Sequence, residues 1–301
     1  MFPFYKRIAQ KILRSTDYTR LITGLFFALI LTANQSVADG ARPRFAEALP
    51  PEAVHPFLES FRTQGLQGDY SFKFLLEHLP RRGKTMRYGG TLWGSWNKSG
   101  PVSRFAIDPG VTDQESGRPA AREWIVQNGG QQQAWAREGT DGIFEPIDAT
   151  ALMEPLFEGV LYRPFDLLMP FIYWDDYEYE GPKAIGTRLA HQFLMKPPAG
   201  LDLPQVHAVR LSLDSEYRAL MRIEILDTLG EALTRFEVES FKKVQGQHIV
   251  KRITLGEQTS GERTRFRVTA AVLNLELPMQ IFDAEKNIKA PEFAPEKFTE
   301  L

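Results

Sequence analysis

The sequence predicts a mainly β protein with helices (α+β): a curved antiparallel sheet forming an incomplete β-barrel, with helices covering its concave side. Three observations predict it. Residues 206–282 run as short alternating strands broken by glycine-containing turns, the pattern of hairpins with one buried and one wet face. Residues 50–64 carry Val54, Phe57, Leu58 and Phe61 at the spacing of a single helical stripe. Residues 148–174 are strongly apolar but broken by Pro155, Pro164 and Pro170 into short helices. A sheet with one apolar face must cover that face, and the two helical segments are the natural cover.

Each element follows in order. Pro56 falls early in the first helix, where proline costs little, and Gly65 is placed to end it. Tyr70, Phe72, Phe74 and Leu76 then alternate with Ser71 and Lys73 as a first strand. A turn at residues 80–83 leads to a second strand at 84–95, and further strands fit 103–108, 122–127 and 132–137. Gly129-Gly130 separates the last two, and residues 108–119 read as an exposed loop. After the proline-broken segment, strands resume at 176–179 and 186–196. In the ladder that follows, Met221, Ile223 and Ile225 alternate with Arg222 and Glu224, and Thr234, Phe236 and Val238 with Arg235, Glu237 and Glu239. Ile249, Ile253 and Leu255 share one side of the next strand, and Phe266, Val268 and Ala270 one side of the last. The domain spans residues 50–289, after an extended leader at 39–49, and residues 290–301 read as a tail.

Lys6, Arg7, Lys11, Arg14 and Arg20 precede an apolar run at 21–33, and Ser36-Val37-Ala38 supplies small residues. A basic start, a short apolar core and an A-x-A-like end describe a secretory signal peptide over residues 1–38, cleaved near Ala38. An uncleaved anchor is the alternative, but a spanning helix needs about 20 apolar residues and this run is shorter. The expected consequence is export from the cytoplasm. Without residues 1–38, which hold five basic residues and one acidic, 31 basic residues face 37 acidic, a net charge near −6. That balance, with no clustered basic stripe, argues against nucleic acid as a partner. The chain has no cysteine, and so neither disulfides nor thiolate metal sites.

Catalysis is unannounced. His55, His78, His191, His207 and His248 are scattered, without the spacing of a metal site. No G-x-S-x-G elbow and no glycine-rich phosphate loop occurs. Asp175, Asp176, Glu178 and Glu180 form the densest acidic group. Paired carboxylates can serve acid–base work, but two-residue spacing on a strand makes a solvated face just as well. No cofactor is implied. The chain instead has bulk on strands, including Phe72, Phe74, Trp93, Trp96, Phe105, Trp124 and Phe236. Ordinary core is one reading. The lining of an apolar cavity, with the proline-broken segment as its lid, is the other.

Thr264-Arg265-Phe266-Arg267-Val268, followed by Asn274, Leu277-Pro278 and Ile281-Phe282, resembles the closing strands of periplasmic lipoprotein carriers of the LolA type. Residues 164–171 with Tyr173-Trp174, then Leu213-Asp214, Tyr217-Arg218-Ala219-Leu220, Arg235-Phe236, residues 240–244 and Lys251-Arg252-Ile253, are similar to the outer-membrane lipoprotein-sorting group. The likeness covers residues 57–282 and rests on the order of these motifs. It implies an incomplete barrel with a helical lid and a cavity that holds acyl chains of lipoproteins or other lipids. Some relatives regulate envelope stress instead. In the carrier an arginine on an early strand holds the lid. Lys73, Arg81, Arg82 and Arg87 lie in that region here, and none aligns with it, so the resemblance assigns no gating residue.

The expectation is a non-enzymatic carrier or binding protein for lipid or lipoprotein acyl chains, with Leu167, Leu168, Phe171, Ile172, Trp174, Phe72, Phe74 and Trp93 as the lid and cavity residues. Peripheral contact with membranes fits this reading. An envelope module that contacts a protein partner through the same fold is the second reading, and an exported hydrolase at Asp175–Glu180 the third.

Overall fold

The computed structural model describes residues 47–108, 121–139, 141–201, 203 and 205–301. The signal peptide and most of the expected loop at 108–119 lie outside these residues.

The first helix, α1 (Pro51–Arg62), starts on a proline and buries Phe57, Leu58, Phe61 and the Arg62 side chain. Six strands follow: β1 (Asp69–Leu79), β2 (Met86–Asn97), β3 (Gly100–Asp108), β4 (Arg122–Gln127), β5 (Gln133–Glu138) and the two-residue β6 (Glu145–Pro146). After residues 147–176 come β7 (Tyr177–Ile185), β8 (Arg188–Met195), β9 (Ala208–Asp214), β10 (Leu220–Leu226), β11 (Ala232–Val244), β12 (Gln247–Glu257) and β13 (Arg263–Leu275).

These strands form one antiparallel sheet in the order β6-β5-β4-β3-β2-β1-β13-β12-β11-β10-β9-β8-β7. The chain therefore makes two meanders. The first unrolls from β1 to one edge at β6. The second starts at the opposite edge, β7, and winds back until β13 pairs with β1, from Asp69↔Leu275 to Leu79↔Arg263. The connection between β6 and β7 must travel from one edge of the sheet to the other, and it does so as the proline-broken segment. The sheet is open, with β6 and β7 at its edges.

Phe72, Phe74, Leu92, Phe105, Trp124, Phe193, Leu211, Ile223, Phe236, Ile253 and Phe266 meet on one face in a single apolar cluster, which Phe57, Leu58 and Phe61 of α1 join. Glycines on β2 make this packing possible. A Cβ at Gly94 would lie 2.0 Å from the Tyr70 ring, and one at Gly90 would lie 2.3 Å from the Phe74 ring. On β10, a register shift between Leu220 and Arg222 buries Leu220 with Ile223 and Ile225, and leaves Met221 only half-buried.

The other face divides in two. Over β7–β11 it is wet and laced with ion pairs: Arg210 to Glu180, Arg235 to Glu224 at 2.9 Å, and Arg222 to Glu237. Over β2–β5, residues after β13 fold back, and Leu277, Ile281 and Phe282 bury Trp93, Val102, Ile125 and Phe144. Beneath them Arg104 donates to Glu123 at 2.7 Å and to the carbonyls of Ile281 and Ile288 at 2.9 and 2.7 Å. Arg137 donates to the second oxygen of Glu123 at 2.9 Å. The Phe282 that the sequence made conspicuous is thus a clamp on this outer layer.

Residues 290–301, read as a tail, end in a short strand, β14 (Thr299–Glu300), that pairs with β13. Among the described residues, no helix is long and apolar enough to cross a membrane.

Candidate functional site

Residues 148–174 form a plug on the apolar face. It holds a 3₁₀ turn (Ala151–Met153), the five-residue α2 (Pro164–Leu168) and a second 3₁₀ turn (Pro170–Tyr173). Pro164 and Pro170 each open an element, where a missing N–H costs nothing. Met169 between them takes a left-handed conformation, φ 46°, which folds one element back on the other. Asp166 fixes the start of α2: its carboxylate accepts the Arg163 backbone N–H at 2.9 Å and the Arg163 guanidinium at 2.9 and 3.0 Å.

A segment this irregular cannot satisfy its own backbone, and buried backbone groups need partners. Side chains from all around supply them. Arg62 at the end of α1 donates to the carbonyls of Ile172 and Trp174 at 2.7 and 2.6 Å. Asn128 donates to the Leu168 carbonyl, and Gln132 to that of Pro170 at 2.7 Å. Arg122 reaches the Leu156 carbonyl at 3.1 Å and the Tyr88 hydroxyl that of Glu158 at 3.3 Å. The Thr264 hydroxyl accepts the Leu161 N–H at 3.1 Å and lies 3.1 Å from Nδ1 of buried His78. All these groups are used if Thr264 gives its proton to a neutral His78. Burial lowers the His78 pKa and the nearby Glu262 opposes that shift, which keeps the ring neutral near pH 7.

The plug also carries polar atoms with no partner among protein groups: the hydroxyls of Tyr162 and Tyr173 and the indole nitrogen of Trp174 are buried and unsatisfied. Burial raises both tyrosine pKa values. Each such orphan costs about 1–3 kcal/mol, so the plug is less stable than its apolar contacts alone would make it.

Of the residues expected to line a lid and cavity, Leu167, Leu168, Phe171, Ile172 and Trp174 lie in the main cluster with Phe72 and Phe74. Trp93 does not. It sits opposite Ser71, while its neighbour Leu92 sits opposite Phe72, so Trp93 points to the outer face and donates to the Pro291 carbonyl at 3.0 Å. One step along a strand reverses the face. Beneath the plug, between Asp166, Met169 and Phe171 and the β10–β12 residues Ile223, Phe236 and Leu255, only about 10 Å³ is free. Beside the plug lies an open groove of about 700 Å³, with Met153, Val160, Leu161, Val206, Ile225 and Leu233 among its apolar walls and Arg163, Asp227 and Glu257 among its charged residues.

Asp175, Asp176, Glu178 and Glu180 stay on the exterior. Glu180 pairs with Arg210 and Glu178 with Lys196 at 3.7 Å, while Tyr177 and Tyr179 turn inward to the cluster. Among the described residues, no group of three or more metal-ligating side chains converges. Sequence reasoning missed the pins Arg62, Asn128, Gln132, Arg122 and Thr264. The run of prolines signals that donors are needed, but nothing local says which residues provide them.

No protein-family model matches the sequence, and no curated protein does. Solved structures do match in fold. A DUF1329 family protein from Desulfovibrio piger aligns at a TM-score of 0.64 and 12% identity, over 78% of this chain and 97% of that one. An outer membrane lipoprotein-sorting protein domain from Vibrio parahaemolyticus aligns at 0.63 and 11% identity, over 77% and 95%. A LolA superfamily protein from Nitrosomonas europaea aligns at 0.54 and 15% identity, over 79% and 98%. One antiparallel sheet, two meanders joined at β1 and β13, and a plug running between the edges make this a LolA-like fold.

Proposed function

We propose that this protein is an exported, non-enzymatic carrier that holds acyl chains of lipid or lipoprotein on the face its plug now covers, in the sorting of outer-membrane lipoproteins or lipids. In this reading the sheet is an incomplete barrel, and α1 and the plug cover its concave side. The observation that carries it is how the plug is attached. Side chains pin its backbone, three of its polar atoms are orphaned, and Leu167, Leu168, Phe171 and Ile172 pack it into the apolar cluster of the sheet. An acyl chain that displaces the plug replaces apolar contact with apolar contact, at about 0.8 kcal/mol per buried CH₂. The 700 Å³ groove is where such a chain would first insert.

The test is native mass spectrometry of the purified chain, together with titration of a fluorescent fatty acid. Co-purifying lipid and saturable binding are expected, with Arg62→Met binding more tightly because the pin on Ile172 and Trp174 is gone. Absence of acyl-chain binding in both chains would falsify the reading. The closed interior favours a second one, a module that contacts an envelope protein and carries no lipid. For that module both chains stay lipid-free while a stoichiometric protein partner co-purifies.

A further inference from the structure

The centre of the sheet is split. β12 and β13 pair only from Arg252↔Arg267 to Gly256↔Arg263, although β12 has 11 residues and β13 has 13. Beyond Arg252 the first half of β12 stays with β11, down to Val244↔Gln247. Beyond Arg267 the second half of β13 stays with β1, up to Asp69↔Leu275. Register shifts stand on both banks of the split, at Ser240 on β11 and between the pairs Lys73↔Ala270 and Phe74↔Val268, where Thr269 has no register partner on β1 and donates its hydroxyl to the Lys73 carbonyl at 3.1 Å. Bulges bend strands, and here they turn two neighbours apart into a wedge.

The wedge is occupied by the chain's own last described residues. Since β1 already holds one edge of β13, β14 lies on the other, with Ala270↔Glu300 and Ala271↔Thr299. Leu301 donates its backbone N–H to the Thr269 carbonyl at 2.8 Å, and its side chain packs against the main apolar cluster. At the far end, Gln245 in the β11–β12 turn accepts the Leu273 N–H at 2.9 Å in place of a strand. Among the described residues, no ladder joins β14 to the facing edge of β12.

We infer that this wedge is a strand-acceptor site: the residues at 299–301 are a resident occupant, and an extended segment of a partner protein carrying an aliphatic residue at the position of Leu301 takes their place by adding to β13. The site offers what strand addition requires, namely an unpaired length of backbone edge and an apolar opening for one side chain. Its occupant is weakly held, through a two-residue strand and one aliphatic side chain. Tethering is what lets so short a segment compete.

The test is titration of a labelled peptide with the sequence of residues 294–301 into the full chain and into Leu301→Asp. Undocking the resident tail removes the competitor, so Leu301→Asp is expected to bind the peptide about tenfold more tightly or better, and the unaltered chain weakly but measurably. The same peptide N-methylated at its leucine should bind neither chain. Thr299→Pro is the second variant, because it removes a tail N–H that alternation directs at β13 without touching the core. It should show the same gain, with faster hydrogen exchange at Ala271, whose N–H alternation directs at the tail. No saturable binding to either variant, equal binding by variants and the unaltered chain, or undiminished binding of the methylated peptide overturns the inference.

Discussion

The sheet and the plug cover each other, but they are held by different chemistry. Along β1 and β13 the backbones are tied by a ladder of ten Cα pairs, and side chains have only to pack. The plug has no ladder. Its backbone rests on Arg62 of α1, Tyr88 of β2, Arg122 of β4, Asn128 and Gln132 of the β4–β5 turn and Thr264 of β13. A ladder holds or fails as a whole, since each rung keeps its neighbours in register. Side-chain pins fail one by one, and each loss leaves a buried backbone group without its partner. The contrast teaches that one sheet can carry both a backbone-laddered frame and a side-chain-pinned segment, without a separate domain for either.

The largest effect that would sharpen the contrast belongs to the sheet. Phe266 is fully buried, with its ring centroid 4.7 Å from that of Phe74. Phe266→Ala should cost about 3–5 kcal/mol in chemical denaturation and lower protection from hydrogen exchange in all strands together. Loss confined to β13 would break the comparison. Arg62→Met comes next, at roughly 2–3 kcal/mol, because two carbonyls lose a charge-assisted partner. Here exchange should accelerate in residues 151–174 and leave the β1–β13 ladder unchanged. Gln132→Ala removes one neutral hydrogen bond to Pro170, worth about 1 kcal/mol, with the same local signature. If Arg62→Met and Gln132→Ala instead loosen the whole molecule, plug and sheet are one cooperative unit.

The smallest effect is a pH slope. His78 and His191 both have pKa values lowered in the fold, chiefly by burial, with Glu262 opposing the shift at His78. Below about pH 6.5 the unfolded chain binds protons that the folded chain refuses, so stability is lost as pH falls through that value toward the folded pKa. Around His78, protonation would also turn Nδ1 from acceptor to donor facing Thr264, whose hydroxyl holds Leu161. The melting temperature should drop between pH 7 and pH 5, and less in His78→Gln. An identical pH slope in that variant would remove His78 from the account.

Much of the frame was legible in the chain. Period-two alternation located β10 to β13 of the second meander, and the stripe of Phe57, Leu58 and Phe61 located α1, because local sterics and one-sided burial act over a few residues. Leu167, Leu168, Phe171, Ile172 and Trp174 could be named as an irregular apolar segment because three prolines forbid a regular alternative, and they lie in the main cluster. Trp93 was misplaced because alternation says that two faces exist but not which one is inner, and the covering segment at 277–282 offers a second apolar home. Tertiary structure alone decided the rest. Arg62 meets Ile172 across 110 positions, and Thr264 meets Leu161 across 103, so no window of sequence contains either pair. The same holds for the wedge that takes Leu301. The sequence by itself determined a one-sided antiparallel sheet and an apolar segment to cover it. Only the tertiary structure decided that the cover is pinned rather than laddered and that the sheet parts at β12 and β13, because both depend on register between strands far apart in the chain.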